Sequence, residues 1–283
     1  MTTSTAVELS ETRHLRPSAR MRAKFFRELA ALGLASRPRD RSIVTEADLE
    51  RLPLAAQRYM RFMHVLEHPR DASFRMRWEG RFRMGPNRAW VPCEVWQYNT
   101  SAEVARIFHM RMNFAGVVPT YVRDLYVHGG GHMAGKLLGL IGIGDDASEK
   151  VTIGELVTYL NDAVIFAPSM LLGPSTTWAA VDDGTFDVSL VDAGHTVTAR
   201  VFVDVDGAMF NFSTTDRFGE DPTSPGAGLV RTEWTTPVDG WQCVGDRMRP
   251  TSARAIWHYP SGDHCYVELT SARMELQYNV PPG

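Results

Sequence analysis

The sequence predicts a mainly β protein: a strongly curved antiparallel sheet or barrel of about ten strands, with a central plugging helix and N-terminal helices. Apolar and charged residues alternate from residue 74 onward, as in strands that bury one face. Two Asp-Gly pairs, at 183–184 and 206–207, stand between strand-like runs and indicate tight hairpins. One amphipathic helix, predicted at 152–166, interrupts the strands. Because one helix cannot cover so large a flat sheet, we expect the sheet to curve around it.

The clearest strand pattern runs from residue 74 to residue 84. Large apolar side chains occupy one face, namely Phe74, Met76, Trp78, Phe82 and Met84. Arginines and one glutamate occupy the alternate positions. Since successive side chains of a strand point to opposite sides, the apolar face is predicted to be dry and the charged face to meet water.

The chain divides into three predicted parts. Residues 1–20 are rich in Ser, Thr and Arg and are predicted to be disordered. Residues 21–68 form a helical segment, with helices expected at 21–34 and 52–66. Residues 73–283 are predicted to form one antiparallel, barrel-like domain that binds a ligand.

Two parts of the β region depart from simple alternation. The glycine run at 129–131 is expected to break the pattern, with a buried loop or short helix at 133–143. Near the end of the chain, two successive strands are predicted at 264–270 and 272–280.

The composition is that of a globular protein, with 44% hydrophobic residues, 22% charged residues and a net charge of −3. It lacks the basic excess of nucleic-acid-binding proteins, so no nucleic-acid partner is predicted. No stretch approaches the roughly 18 apolar residues that span a bilayer. Met1 to Arg20 also lack the apolar core of a secretory signal. We therefore expect a cytoplasmic protein without a stable membrane anchor, and its oligomeric state is left open.

Glu94 is the first candidate catalytic residue. It shares one face of the strand 90–98 with Trp90, Trp96 and Tyr98. A carboxylate among aromatic rings has a raised pKa and can act as a general acid or base. Two other interpretations stay open: these side chains form a solvent-facing ladder, or Glu94 pairs with an arginine of the preceding strand.

Asp124, Tyr126 and His128 form a second candidate group on one face of a strand that ends beside the glycine run. Protogenic side chains at the end of a strand are often part of a site, although a satisfied polar edge gives the same pattern. His128 and His132 lack a third ligand nearby in the sequence, so no metal is predicted. No phosphate-binding or dinucleotide motif is present, and we expect no cofactor.

The 13 methionines and seven tryptophans suit an irregular apolar cavity, because methionine adapts its shape and tryptophan provides a flat wall. Packing of an ordinary core would explain many of them equally well. The predicted ligand-binding residues are Met76, Trp78, Phe82, Trp96, Met110, Met112 and Phe114.

Short motifs along the chain carry a resemblance to a known family. They are Arg81-Phe82, Trp90-Val91-Pro92, Gln97-Tyr98, Gly131-His132-Met133, Lys136-Leu137-Leu138-Gly139-Leu140, Gly154-Glu155-Leu156 and Tyr159-Leu160. In these motifs the chain resembles a family of functionally uncharacterised bacterial proteins over most of its length. That family looks related in architecture to the half-barrel lipoprotein carriers. The resemblance implies a curved antiparallel sheet that holds acyl chains against a helical plug, although this sequence shows neither an export signal nor a lipidated cysteine.

Two classes of function fit these observations. The first is a cofactor-independent cyclase or isomerase acting on a lipophilic, polyketide-like molecule, by analogy with cup-shaped β proteins of antibiotic biosynthesis. The second is a non-catalytic carrier of a lipid or other hydrophobic ligand. A third, a scaffold that pairs its apolar face with another chain, would require a long uncharged edge strand. The first two differ in whether Glu94, Tyr98, Asp124, Tyr126 or His128 projects into the hollow.

Overall fold

The structure, a computed structural model, describes residues 18–34, 42–114, 118–137 and 141–282. Its helices are α1 (Ala19–Ala31), α2 (Glu46–Leu49), α3 (Leu54–Phe62) and α4 (Glu149–Phe166), followed by a short 3-10 helix at Pro168–Leu171. The first strands are β1 (Ser73–Phe82), β2 (Val91–Thr100), β3 (Ala105–Phe114), β4 (Val118–Val127), β5 (Gly130–Leu137) and β6 (Ile141–Asp146). After α4 come β7 (Thr176–Asp182), β8 (Thr185–Asp192), β9 (His195–Val203), β10 (Met209–Gly219) and β11 (Val230–Thr235). The last are β12 (Val238–Asp239), β13 (Gln242–Val244), β14 (Arg247–Arg249), β15 (Ser252–Tyr259) and β16 (Gly262–Tyr278).

Apart from β13 and β14, which pair only with each other, the described strands form one strongly curved antiparallel half-barrel, which confirms the predicted fold class. Thirteen strands follow one another in the order β6-β5-β4-β3-β2-β1-β16-β15-β11-β10-β9-β8-β7, and β12 branches from β15. The sheet therefore has more strands than the ten that the sequence pattern indicated. Strand β1 lies at its middle and pairs with β16 near the other end of the chain.

The central helix α4 fills the hollow of the half-barrel. Ser148 caps its first turn, and Pro168 follows the residue that ends it. All its residues except Glu149, Lys150 and Ile153 are buried, so it is a core helix rather than a surface helix. It contacts strands from both halves of the sheet, namely β3, β4, β5, β9 and β10.

The glycine-rich segment after β4 differs from the prediction. It forms the strands β5 and β6 instead of a loop or short helix at 133–143. His128 and Gly129 both have positive φ angles, 52° and 75°, which suit the tight two-residue turn between β4 and β5. At Gly131 a β-carbon would lie 2.4 Å from the backbone of Thr152, so glycine allows α4 to approach the sheet.

The two halves of the half-barrel meet beside this turn. The Tyr126 hydroxyl donates a 2.6 Å hydrogen bond to Asp192, at the end of β8. At Gly129 a β-carbon would lie 2.3 Å from that of Ala193, which belongs to the β8–β9 turn. The turns of β4–β5 and β8–β9 are therefore in direct contact.

The N-terminal helices cover different parts of the sheet. Helix α1 packs its buried residues Met21, Phe25 and Leu29 on strands β2 to β4, on the side opposite α4. The predicted helix at 52–66 forms as the shorter helix α3, which has Pro53 as its N-cap, and the separate short helix α2 precedes it. The predicted disordered segment lies almost wholly outside the described residues, and the domain boundary near residue 70 stays a prediction. No helix in the described residues is long and apolar enough to cross a membrane.

Candidate functional site

Strand β2 separates two environments. We call the side of the sheet that faces α4 the concave face, and the side that carries α1 the convex face. Cys93 and Val95 belong to the core around α4, whereas Trp96 and Tyr98 belong to the core under α1. Because side chains alternate along a strand, the residues directly before and after a concave-face residue lie on the convex face.

The concave face carries most of the predicted ligand-binding residues. Met76, Trp78, Met110 and Met112 are buried there, and Phe82 is half-buried. Trp96 lies on the convex face, one residue out of phase with this wall. The side chain of Phe114 lies outside the described residues. Five of the seven predicted residues thus lie on the concave wall, and their role in binding stays a prediction.

A set of aromatic side chains extends this wall across the C-terminal strands. We call Phe82, Trp234, Trp257, Tyr259 and Tyr266 the aromatic cluster. The ring centroids of Tyr266 lie 5.9 Å from Phe82 and 6.2 Å from Trp257, and those of Trp234 and Trp257 lie 6.4 Å apart. Phe82, Trp257 and Tyr266 are half-buried, so the cluster presents aromatic surface at the concave face.

A β-bulge brings Tyr266 to this cluster. Val267 pairs with Ala255 and Cys265 with Ile256, which leaves Tyr266 without a partner in the ladder. An extra residue of this kind redirects side chains between faces. The sequence pattern predicts only a strand at 264–270, although the nearby Trp257 and Tyr259, two residues apart, indicate an aromatic face.

Arg217 lies against the aromatic cluster. Its guanidinium is 4.2 Å from the ring centroid of Trp234 and 5.0 Å from that of Trp257, within cation–π range. It also donates a 3.2 Å hydrogen bond to the Tyr266 hydroxyl. Arg217 is half-buried and makes no ion pair within the described residues. It is therefore a cation held by aromatic rings at the edge of the concave face.

A buried polar cluster joins the concave face to α4. Arg106 of β3 contacts Asp162 at 2.6 Å and Glu155 at 3.0 Å. Gln97 donates a 2.7 Å hydrogen bond to Asp162. We call these four residues, with Asp124 of β4, the inner charged cluster. It fixes the central helix against the sheet by charge-assisted hydrogen bonds.

Asp124 is the least satisfied member of this cluster. Its Oδ1 is buried and accepts no hydrogen bond within the described residues. Burial raises the pKa of Asp124 to about 7, and the charge of Glu155 adds to this rise, while Arg106 and Arg217 oppose it. Burial likewise raises the pKa of Glu155. The indole Nε1 of Trp78 and the hydroxyl of Thr120 are also buried on this face without partners in the described residues.

The other predicted catalytic residues do not join Asp124 in one site. Glu94 lies on the convex face, where it contacts Arg77 at 3.3 Å and Arg111 at 3.1 Å. This confirms the alternative that Glu94 pairs with an arginine of the preceding strand. It also corrects the expectation that the charged side of β1 meets water, because Arg77 and Glu79 are buried there.

Three further predicted residues have separate surroundings. Tyr98 is on the convex face, and its hydroxyl donates to the carbonyl of Val280 at 3.2 Å. Tyr126 is on the concave face, but its hydroxyl is engaged by Asp192. His128 occupies the β4–β5 turn, 59% exposed at its side chain, where it contacts Glu103. The five predicted catalytic residues therefore do not converge, since strand alternation and the turn place them in different environments.

The described residues contain no group of three or more His, Cys, Asp and Glu side chains that could hold a metal. Burial raises the pKa of the Cys93 thiol to about 12, which makes it a poor nucleophile. The chemistry available on the concave face is thus apolar contact, aromatic stacking, and hydrogen bonding by a few buried polar groups.

Comparisons with known proteins identify relatives but no activity. A search of the curated proteins gives no match. Among solved structures, the chain is similar to LolA superfamily protein NE2245 from Nitrosomonas europaea, with 10% sequence identity and a TM-score of 0.37. That similarity covers 83% of this chain and 92% of the other. A family profile matches residues 42–269. The chain therefore belongs to DUF6544, a family of unknown function.

Proposed function

We propose that the protein binds a lipophilic small molecule against the concave face and carries it without chemical change. The observation that supports this most directly is the combination of half-exposed aromatic surface with buried polar atoms that lack partners in the described residues. The apolar part of a ligand would cover the aromatic surface, and one or two polar groups of the same ligand would form hydrogen bonds with the unpartnered polar atoms. The proposed ligand-contacting residues are Trp78, Phe82, Asp124, Arg217, Trp257 and Tyr266.

The apolar part of the ligand would lie against Phe82, Trp257 and Tyr266. These rings come from three adjacent strands, β1, β15 and β16, and are fixed by edge-to-face and stacked contacts with one another. Rings held in this way lose little conformational freedom when a ligand binds. Arg217 would orient a polar or anionic end of the same molecule, because aromatic contacts leave its remaining N–H groups able to donate.

A titration with the neutral apolar dye Nile red tests this proposal. We expect saturable binding to the full chain, and Phe82→Ala should weaken it about tenfold or more because it removes one buried aromatic contact. Phe210→Ala is the matched control, since Phe210 is exposed and its ring packs beside that of Phe202. Equal affinity in wild type and both variants would reject the concave face as the binding surface.

Catalysis by a cofactor-independent cyclase or isomerase is the second candidate, and one observation favours it. Burial, together with the nearby charge of Glu155, raises the pKa of Asp124 to about 7, which suits proton transfer near neutral pH. Of the five predicted catalytic residues, only Asp124 combines a place on the concave face with an unpartnered oxygen in the described residues.

A bound molecule recovered from the purified protein separates the two candidates. After identification, that molecule is returned to delipidated protein, extracted and compared by retention time and NMR spectrum. An unchanged molecule agrees with a carrier. A changed molecule, whose formation stops in Asp124→Asn, would instead establish an enzyme. The cytoplasmic location that the sequence predicts remains part of this proposal.

A further inference from the structure

A cavity lies on the convex face, away from the concave wall. Its volume is about 470 Å³, in the range of small-molecule sites. Helix α1 forms one side, and strands β4 and β5 with Asp145 of β6 form the other. The lining residues are Lys24, Arg27, Glu28, Tyr121, Val122, Arg123, His132, Ala134, Lys136 and Asp145. We call it the basic cleft.

Positive charge exceeds negative charge in the basic cleft. Four cationic side chains from three elements line it, namely Lys24 and Arg27 of α1, Arg123 of β4 and Lys136 of β5. Only two carboxylates line the same cavity, Glu28 and Asp145. The cations are therefore gathered by the fold and not by one run of sequence, since they come from separate parts of the chain.

Both carboxylates already have partners. Glu28 contacts the ring of His109 at 2.5 Å and Arg123 at 2.5 Å. Asp145 contacts His132 at 2.6 Å. By contrast, Lys24, Arg27 and Lys136 make no ion pair within the described residues. Three cations thus line the cleft without an ion-pair partner in the described part of the chain.

Lys24 shows the electrostatic cost of this arrangement. Burial lowers the pKa of Lys24, Glu28 opposes that effect, and the positive charges of Lys136, Arg123 and Arg20 lower the pKa further. Cations that lower one another's pKa are stabilised by an anion placed between them. An anion carrying two charges fits three unpaired cations better than a single carboxylate does.

We propose that the basic cleft binds a phosphate group carried by a small organic molecule, with Lys24, Arg27 and Lys136 as its ligands. Arginine donates to phosphate oxygens through two parallel N–H groups, and lysine contributes a point charge. The cavity is larger than one phosphate ion, and Tyr121 and Ala134 give its remaining wall an apolar and aromatic character. The phosphate can belong to a soluble phosphorylated metabolite or to a phospholipid headgroup, and the experiment distinguishes the two sources.

This site does not depend on the proposed function of the concave face. The basic cleft is bordered by α1, which packs on the side of the sheet opposite α4. Loss of Nile red binding on the concave face would leave the basic cleft unaffected, and the reverse also holds.

The experiment uses the full chain and two probes, glycerol 3-phosphate in solution and vesicles of phosphatidylcholine with about 20% phosphatidic acid. Isothermal titration calorimetry measures the first, and vesicle co-sedimentation measures the second. We expect saturable binding of at least one probe, weakening as salt increases. The double variant Lys24→Met/Lys136→Met should bind that probe about tenfold more weakly or worse. Binding of glycerol 3-phosphate supports a soluble ligand, and binding of the vesicles alone supports a lipid headgroup.

The matched control is Lys150→Met, which replaces the third lysine of the chain, bonded to the carbonyl of Leu229 away from the cleft. It should bind like the wild type. A double variant that binds like the wild type would overturn the assignment, as would the absence of binding to both probes. If the double variant does not fold, the ³¹P line width of glycerol 3-phosphate with wild-type protein still tests whether the basic cleft binds phosphate. No broadening at low salt, together with no vesicle binding, would reject the site.

Discussion

Two carboxylates on opposite faces of the same sheet differ in how completely their oxygens are hydrogen-bonded. Glu94, on the convex face, is fully buried and contacts Arg77 and Arg111. It also accepts hydrogen bonds from the backbone N–H of Ser18 and the indole of Trp96. Asp124, on the concave face, has a buried oxygen without a partner in the described residues.

The difference follows from what covers each face. Over Glu94 the chain itself supplies a helix N-terminus, at Ser18, so that the carboxylate receives donors from both the sheet and its cover. Around Asp124, α4 supplies Glu155, another acid, and the shared cation Arg106 bonds to Glu155 and Asp162 instead. A fully partnered buried charge fits a structural role, whereas a poorly partnered one marks a candidate for ligand contact.

The largest expected effect comes from removing the cation that the inner charged cluster shares. Arg106→Met leaves Asp162 and Glu155 buried without their main partner. We expect the free energy of unfolding to fall by about 3–5 kcal/mol, measured by urea denaturation. Arg200→Met is the matched control, because the Arg200–Asp187 pair is exposed and should contribute about 1 kcal/mol or less. A similar small loss in both variants would show that α4 is held by apolar packing alone.

On the convex face, Glu94→Gln should have a smaller effect. The substitution keeps the shape but removes the charge that Arg77 and Arg111 share. Arg77 retains contacts with Glu79 and Glu275, so we expect a loss of about 2–3 kcal/mol in urea denaturation. Unchanged stability in Glu94→Gln would contradict the structural role and restore the hypothesis that Glu94 is a catalytic residue.

The sequence predicted the fold class because alternation is a local signal. The pattern at Phe74, Met76 and Trp78 identified β1 and its apolar face correctly. The convex face was predicted less well, since burial of Arg77 depends on α1, whose place on the sheet is set by contacts distant in sequence. The strands after the glycine run were missed because glycine at 131 reflects the approach of α4 and not a loop.

The candidate site was only partly predictable for a related reason. Alternation shows which residues share a face within one strand. It does not show which face of the next strand lies on the same side of the sheet. Glu94 and Asp124 were therefore grouped although they lie on opposite faces. Arg217 and Tyr266 were missed, because register shifts in β10 and β16 change which side chains share a face.

A third substitution tests whether the Tyr126 hydroxyl is structural. Tyr126→Phe removes the 2.6 Å hydrogen bond to Asp192, which joins the β4–β5 and β8–β9 regions. We expect a loss of about 1 kcal/mol in the free energy of unfolding. Ligand affinity should not change, since the hydroxyl is already engaged. A much larger effect on affinity than on stability would place Tyr126 in the site instead.

The last substitution, Asp124→Asn, is expected to have an effect opposite in sign at neutral pH. The pKa of an aspartate is about 3.9 in an unfolded chain. Because burial raises it to about 7 in the folded protein, the contribution of Asp124 to stability is fully present below about pH 4 and is lost as pH rises through about 7. Asparagine does not titrate. Between about pH 4 and about pH 7, the free energy of unfolding of the variant should therefore fall less than that of the wild type. Above about pH 7 it should equal or exceed the wild-type value.

Urea denaturation across about pH 4 to 8 measures this difference directly. Asp206→Asn, at an exposed turn position, is the control and should follow the wild-type pH dependence. Glu155 keeps its raised pKa in the Asp124 variant, so some pH dependence should remain. If the Asp124 variant and the wild type show the same pH dependence, the carboxylate of Asp124 is well satisfied after all. The contrast with Glu94 would then disappear, and Asp124 would lose its claim to be the polar contact for a ligand on the concave face.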